Sequence, residues 1–232
     1  MDFSFSDDHE QVRDTVKRFA ATEITPIARH HDDTETFPRE MFRKWGDLGL
    51  LGVRYPAEDG GTGMDKISDC IVREELSYAS QAFASAWSAH THLGIWPIWK
   101  AGTAEQRAAY LPGAFDGSKI SAFGLSEPAG GSNIRALKTR AEKIDGGWRI
   151  SGAKTYITNS PIADFMLLAA RTAPELTPEA ISLFIIDLPN PNVVIHRLDK
   201  EGIRASETGL IHIDDLEVPD SALLGGQTGT YP

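Results

Sequence analysis

Near residue 120 the period of the chain changes. Before it, apolar residues recur at helical spacing. After it, they come in short runs or alternate with polar residues, separated by Gly, Pro, Asn and Asp. Helices followed by strands, without βαβ alternation, restrict the fold to the α+β class. The pattern predicts a helical, bundle-like domain over 1–119 and an antiparallel β-barrel or sandwich domain over 120–232. A length of 232 residues accommodates two ordinary domains.

Ser6, Asp7 and Asp8 offer an N-cap and acids for a first helix, with Val12, Val16 and Phe19 along one face. Glu23 to Ala28 starts a further turn, broken or kinked at Pro26. Pro38 suits the opening of a helix that carries Met41, Trp45 and Leu48 on one face and ends near Gly49. Gly60-Gly61-Thr62-Gly63 reads as a plain loop. Ile67, Ile71 and Tyr78 continue the helical spacing, and the Ala/Ser-rich run Ala82 to Ala89 suits close helix packing. Ala104 to Tyr110 reads as a last helix, stopped by Pro112-Gly113. Strands are predicted at 121–125, 148–151, 156–158, 165–170, 181–188, 193–196 and 210–213. Val218-Pro219 to Gly226 reads as an exit from the last of them.

Composition excludes several classes of function. A net charge of −10 argues against nucleic acid as a partner and requires any anionic ligand to be held by local donors. No apolar run approaches a membrane span, and the N-terminus lacks a signal pattern. The single cysteine, Cys70, rules out an internal disulfide and reads as a packed thiol in a reducing cytosol. These features together predict a cytoplasmic protein.

Two segments carry chemistry. Gly124 to Asn133 reads G-L-S-E-P-A-G-G-S-N, a strand end followed by a turn that offers bare backbone N–H groups and the hydroxyls of Ser126 and Ser132. Alone, it reads as a hairpin loop. Gly152 to Asn159 reads G-A-K-T-Y-I-T-N; Tyr156, Ile157 and Thr158 alone make an ordinary strand. At this spacing, with a hairpin turning at Gly146-Gly147 between them, the two segments resemble the acyl-CoA dehydrogenase family of flavoproteins. Asn133 departs from that family's usual Asp, which puts one loop hydrogen bond in question. The resemblance covers nearly all of the chain but only the first two of the family's three domains.

The resemblance implies bound FAD and flavin-dependent α,β-dehydrogenation of an acyl thioester, carried by CoA or an acyl carrier protein. In the family a carboxylate removes the α proton while a hydride leaves the β carbon for the flavin. By resemblance, Ser126 and backbone N–H groups near Leu125 face the flavin's pyrimidine edge, and Thr158 sits by N5. Tyr156 covers a ring face, Phe123 packs beside it, and Gly131 and Ile157 complete the cofactor-facing set. Ser132 faces the CoA portion of the substrate. No residue matches the family's catalytic base, which lies in its C-terminal domain. The expectation is therefore a split or heteromeric enzyme whose partner chain supplies the base, together with an electron-transfer acceptor. Apolar surface left by the third domain should then be exposed and favour association. The alternatives are a non-catalytic scaffold subunit or truncated fragment, and an acyl-CoA oxidase or flavin monooxygenase of the same fold.

Other candidates have plainer readings. Glu127 belongs to the structure of its loop, and Glu74 and Glu75 read as a solvated helix face. His90 and His92, two apart on a helix, do not share a face; they either line a polar acyl pocket or pack. Trp87, Trp96 and Trp99 read as core or interface. His30-His31-Asp32-Asp33 lacks metal-ligand spacing and reads as a polar loop.

Overall fold

The structure is a computed structural model and describes residues 4–229. Seven α-helices among the described residues precede a seven-stranded sheet. They are α1 (Asp7–Phe19), α2 (Thr25–Thr34), α3 (Met41–Asp47), α4 (Lys66–Ala79), α5 (Gln81–Ser88), α6 (Trp96–Ala101) and α7 (Ala104–Phe115). The strands are β1 (Ser121–Gly124), β2 (Arg140–Ile144), β3 (Gly147–Thr158), β4 (Phe165–Arg171), β5 (Ile181–Asp187), β6 (Val193–Arg197) and β7 (Thr208–Pro219).

Helix α1 starts where the sequence predicts. The Ser6 hydroxyl accepts the His9 N–H, and the His9 ring in return accepts the Ser6 N–H, closing a capping box. Val12 and Val16 bury their side chains with those of Ile71, Val72 and Leu76 of α4 in one core cluster. Fully burying side chains such as Phe42 and Phe83 in that core contributes about 1.5–3 kcal/mol each. The α1–α4 contact also carries Arg13, whose Nη1 lies 2.7 Å from Glu74 and 2.6 Å from Glu75. Glu75 is thus buried and paired rather than solvated, because Arg13 on the facing helix neutralises it.

Other expectations fail for local reasons. His30-His31-Asp32-Asp33 lies inside α2, with Arg29 paired to Asp33 one turn on. Helix α7 runs through Pro112 to Phe115; burial of Leu111, Ala114 and Phe115 outweighs the one backbone bond that proline removes. Cys70 faces solvent on α4, opposite the buried Ile71–Val72 stripe. Leu48, Ile67 and Tyr78 are exposed. Leu48 lies past the end of α3, and Ile67 and Tyr78 sit near the two ends of α4. Two π-helical stretches, Ala20–Ile24 and Ala89–Ile95, join α1 to α2 and α5 to α6, each leading into a helix with a proline in its first turn, Pro26 and Pro97, so the chain widens rather than breaks at Pro26.

The sheet runs β1-β4-β2-β3-β7-β6, with β5 pairing β4. It is mixed rather than wholly antiparallel, since β1 and β4 are parallel over Ser121↔Phe165 to Gly124↔Leu168. The β2–β3 hairpin lies between them in sequence and serves as the long crossover that parallel neighbours need. All seven residues of β4 are buried. Phe165, Leu167 and Ala169 pack in one cluster with Ile98 of α6 and Leu111 of α7, while Met166, Leu168 and Ala170 join the core of the curled sheet.

A polar junction joins helices to sheet. His90, fully buried in the second π-helical stretch, meets the Ala114 carbonyl through Nε2 at 2.9 Å and accepts the Ser121 N–H at Nδ1 at 3.0 Å. The carbonyl can only accept, so the ring is neutral with its proton on Nε2. Gly94, in the same stretch, approaches so closely that an added Cβ would lie 1.8 Å from the Ser121 Oγ. Arg39 grips both carboxylate oxygens of Asp164 at 2.6 and 2.5 Å, and Asp164 accepts the Ile120 N–H at 2.6 Å.

Candidate functional site

The two motif segments lie side by side and run in opposite directions. At one end the Asn159 Nδ2 donates to the Ala86 carbonyl at 2.9 Å and reaches the Ser121 carbonyl at 3.4 Å. At the other, the Thr155 N–H donates to the Ser126 carbonyl at 2.9 Å, and the Lys154 ammonium donates to the Leu125 carbonyl at 3.1 Å. The sequence places these segments about thirty residues apart; the crossover brings them together.

Two irregularities in the β3–β7 ladder shape this edge. Between Ile150 and Gly152, β7 carries an extra residue, since their partners are Leu216 and Ile213. Between Lys154 and Ile157 the extra residue is on β3, since their partners are Ile211 and Gly209. Tyr156 falls in the second bulge, at φ 57°, with its side chain 74% exposed. Lys154 and Ile157 on either side point inward and are buried, and Thr158 is half-buried.

The first segment leaves β1 at Gly124 and turns tightly at Pro128-Ala129. Glu127 and Gly130 exchange both backbone hydrogen bonds across that turn, at 3.0 and 2.9 Å. Phe123 and Leu125 are half-buried and pack against the cluster under α6 and α7. Ser126 is half-buried, and Gly131 passes so near that an added Cβ would lie 3.2 Å from its hydroxyl. Ser132 and Asn133 follow, exposed. The structure therefore brings Phe123, Leu125, Ser126, Gly131, Tyr156, Ile157 and Thr158 to neighbouring strands and one loop, with Ser132 farther out on that loop. Among the described residues, no hydrogen bond within the chain occupies the hydroxyl of Ser126, Ser132, Tyr156 or Thr158.

Glu127 is the opposite case. Its carboxylate accepts the Lys138 N–H at 2.6 Å, the Thr139 N–H at 2.8 Å, the Thr139 hydroxyl at 2.6 Å and the Lys154 ammonium at 2.9 Å. Burial pushes its carboxyl up, but the Thr139 bond, the Lys154 charge and the two amides together hold it below the usual range. A carboxylate so saturated is unsuited to proton abstraction. Burial brings the Lys154 ammonium down to about 8 against the pull of Glu127. Sequence reasoning assigned Lys154 and Thr139 no role. A lysine at an inward strand position was the available signal, because such a residue needs a buried partner.

His90 and His92 are both tied within the protein. His90 holds the junction, and His92 lies 2.7 Å from Asp69 and 3.0 Å from Ser88. Trp87 is fully buried and donates to the Leu50 carbonyl, whereas Trp96 and Trp99 pack at the margin of the α6–α7 cluster. Among the described residues no group of three His, Cys, Asp or Glu side chains could hold a metal ion. No helix among them is long and apolar enough to cross a membrane.

Two family models match the chain: acyl-CoA dehydrogenase, N-terminal domain, over residues 6–118, and acyl-CoA dehydrogenase, middle domain, over 122–216. The chain belongs to the acyl-CoA dehydrogenase family. It is 36% identical over 230 residues to a probable acyl-CoA dehydrogenase, YngJ, of Bacillus subtilis, covering 98% of this chain and 60% of that protein. It is 34% identical to the mitochondrial isovaleryl-CoA dehydrogenase of Arabidopsis thaliana, covering 95% of this chain and 54% of that one. Its fold matches a glutaryl-CoA dehydrogenase from Mycobacterium smegmatis, solved in complex with FADH2, with a TM-score of 0.91 at 29% identity over 97% of this chain and 57% of that one. The chain thus spans somewhat more than half the length of the relatives it matches.

Proposed function

We propose that this chain carries the cofactor- and thioester-facing part of an FAD-dependent acyl-CoA dehydrogenase of the cytoplasm, with its two domains meeting near residue 120. The observation that carries the reading is the edge formed by Ser126, Tyr156 and Thr158. Three hydroxyls and an exposed aromatic ring lie on two neighbouring segments, and no hydrogen bond within the described chain uses them. A scaffold has no need of such an arrangement, which is why the enzyme reading outweighs the scaffold one.

This donor set suits a flavin. Its pyrimidine edge offers acceptors, matched by the Ser126 hydroxyl and the backbone N–H groups beside Leu125. The Tyr156 ring would cover a ring face, with Phe123 beside it, and Thr158 would serve the redox nitrogen. Gly131 keeps the loop close to Ser126 without a side chain intervening, and Ile157 anchors the strand beneath. Ser132, exposed on the loop, takes the carrier portion of the substrate, CoA or acyl carrier protein. Bound FAD would accept the hydride equivalent released when a saturated acyl thioester becomes α,β-unsaturated.

The base that removes the α proton comes from outside residues 1–232, on the same polypeptide or on a partner chain. Glu127, the one buried carboxylate of the loop, is already committed. Electrons then leave to a separate electron-transfer acceptor.

The test uses the natural protein, purified untagged with whatever chains accompany it. Native mass spectrometry reads its composition, and anaerobic addition of straight and branched short acyl-CoAs reads flavin bleaching. Bound FAD bleached by one of them supports the reading. Protein that neither retains nor takes up FAD removes it. Oxygen consumed in step with substrate would place the chain among the oxidases or monooxygenases instead.

A further inference from the structure

Replacing a buried ion pair by apolar residues of similar volume is often neutral or stabilising, so stability alone does not explain one. Lys154 and Glu127 form such a pair, with side chains 0% and 5% exposed. Their other contacts suggest a different purpose. Through the Leu125 carbonyl, Lys154 holds the point where the chain enters the loop. Through the Lys138 and Thr139 amides and the Thr139 hydroxyl, Glu127 holds the point where it leaves. One bond between the two side chains, at 2.9 Å, joins the ends. The residues in between include Ser126, Gly131 and Ser132, and their outward groups are not tied back to the protein.

We propose that Glu127 and Lys154 are positioning residues for the flavin-facing edge: by closing the neck of the loop from Leu125 to Thr139, they aim the Leu125–Ser126 amides and the Ser126 hydroxyl and thereby set the reduction potential of the bound cofactor. The inference rests on the FAD reading above. The pyrimidine edge gains negative charge on reduction, so donors aimed at it stabilise the reduced form more than the oxidised one. Hydrogen bonds weaken steeply with misalignment, so a loosened neck costs the reduced form most. Both charges of the pair are internal and compensate each other. Its effect on the cofactor therefore runs through geometry rather than through a net charge.

The experiment measures the midpoint potential of the FAD-loaded natural protein, with its accompanying chains, beside Lys154→Met, Glu127→Gln, the double variant, Thr139→Val and Thr139→Ser. Lys154→Met leaves a buried carboxylate unpaired and risks misfolding; the double variant and the two Thr139 variants avoid that. The expected result is a loss of about tenfold in preference for the reduced cofactor in Lys154→Met and in the double variant, about 30 mV for a two-electron couple. Thr139→Val should give a smaller shift in the same direction, and Thr139→Ser, which keeps the hydroxyl, none. A purely structural role would lower FAD occupancy and the melting temperature but leave the loaded molecules at the wild-type potential, and that result overturns the proposal. Wild-type protein without FAD would instead remove the reading beneath it.

Discussion

Where β1 and the closing residues of β3 lie side by side, the two ends of their contact are built on different principles. At the Ser121–Asn159 end, polar groups are turned inward and spent on one another. His90 meets Ser121 and Ala114, and the Asn159 amide reaches Ala86. At the Ser126–Tyr156 end, the backbone is pinned but the side-chain hydroxyls are left unspent. The comparison separates two demands that share the same few residues. The inward end fixes how helices sit on the sheet, and the outward end keeps donors available. Substitutions at the first should read out as stability, and those at the second as ligand affinity.

The largest expected effect is Gly94→Ala, which drives a methyl into the Ser121 side chain and the backbone behind it. A cost of about 4 kcal/mol is expected, at the upper end for overpacking. Urea unfolding measures it, and a wild-type midpoint would show that the junction gives way easily.

Next comes pH. His90 is held neutral, and burial brings its pKa down from 6.5 to about 4. Its contribution is therefore complete above the unfolded pKa and is lost progressively as pH falls from 6.5 to 4, where the unfolded state binds a proton that the folded state refuses. The loss amounts to about 3 kcal/mol across that window. Stability measured between pH 7 and pH 4 should fall accordingly, and His90→Gln should flatten that slope whatever it does to stability at neutral pH.

Arg39→Ala removes the Nη2 donor that meets both oxygens of Asp164, from a half-exposed position. A cost of about 1–2 kcal/mol is expected, discounted for solvent screening. A double-mutant cycle with Asp164→Asn isolates the pair.

The smallest effects on stability belong to the outward end. Ser126→Ala and Thr158→Val should stay within about 0.5 kcal/mol of wild type. On the proposed function they weaken FAD retention or slow flavin reduction by about tenfold or more, in line with lost donors to developing charge. If either unfolds the protein instead, the two ends are not as separate as their contacts imply.

Much of this was legible in the sequence because it depends on local period. The helices with capping residues and apolar stripes, the run of strands and the two motif segments all announce themselves within a dozen residues. What escaped depends on partners distant in the chain. Glu75 reads as surface until Arg13 on α1 faces it. Pro112 reads as a stop until the cluster beneath α7 holds the helix through it. The parallel β1–β4 pairing follows from the crossover, which strand propensity does not report. Within the site, residue types were visible and connectivity was not. Glu127 reads as structural, but its grip on Lys154, Lys138 and Thr139 exists only once three separate stretches are folded together.

The two bulges in the β3–β7 ladder are opposite in sign. Gly147 to Ile150 and Ile157 to Thr158 keep one common offset against β7, while Gly152 to Lys154 between them is slipped by a single place. The distortion is thus self-cancelling. Loss of Tyr156 would leave Lys154 opposite Ile211, Thr155 opposite Leu210 and Ile157 opposite Gly209, a regular ladder in which every later side chain keeps its face. Each bulge is therefore closed locally, and either can be lost without the other while the pairs beyond it stay in place.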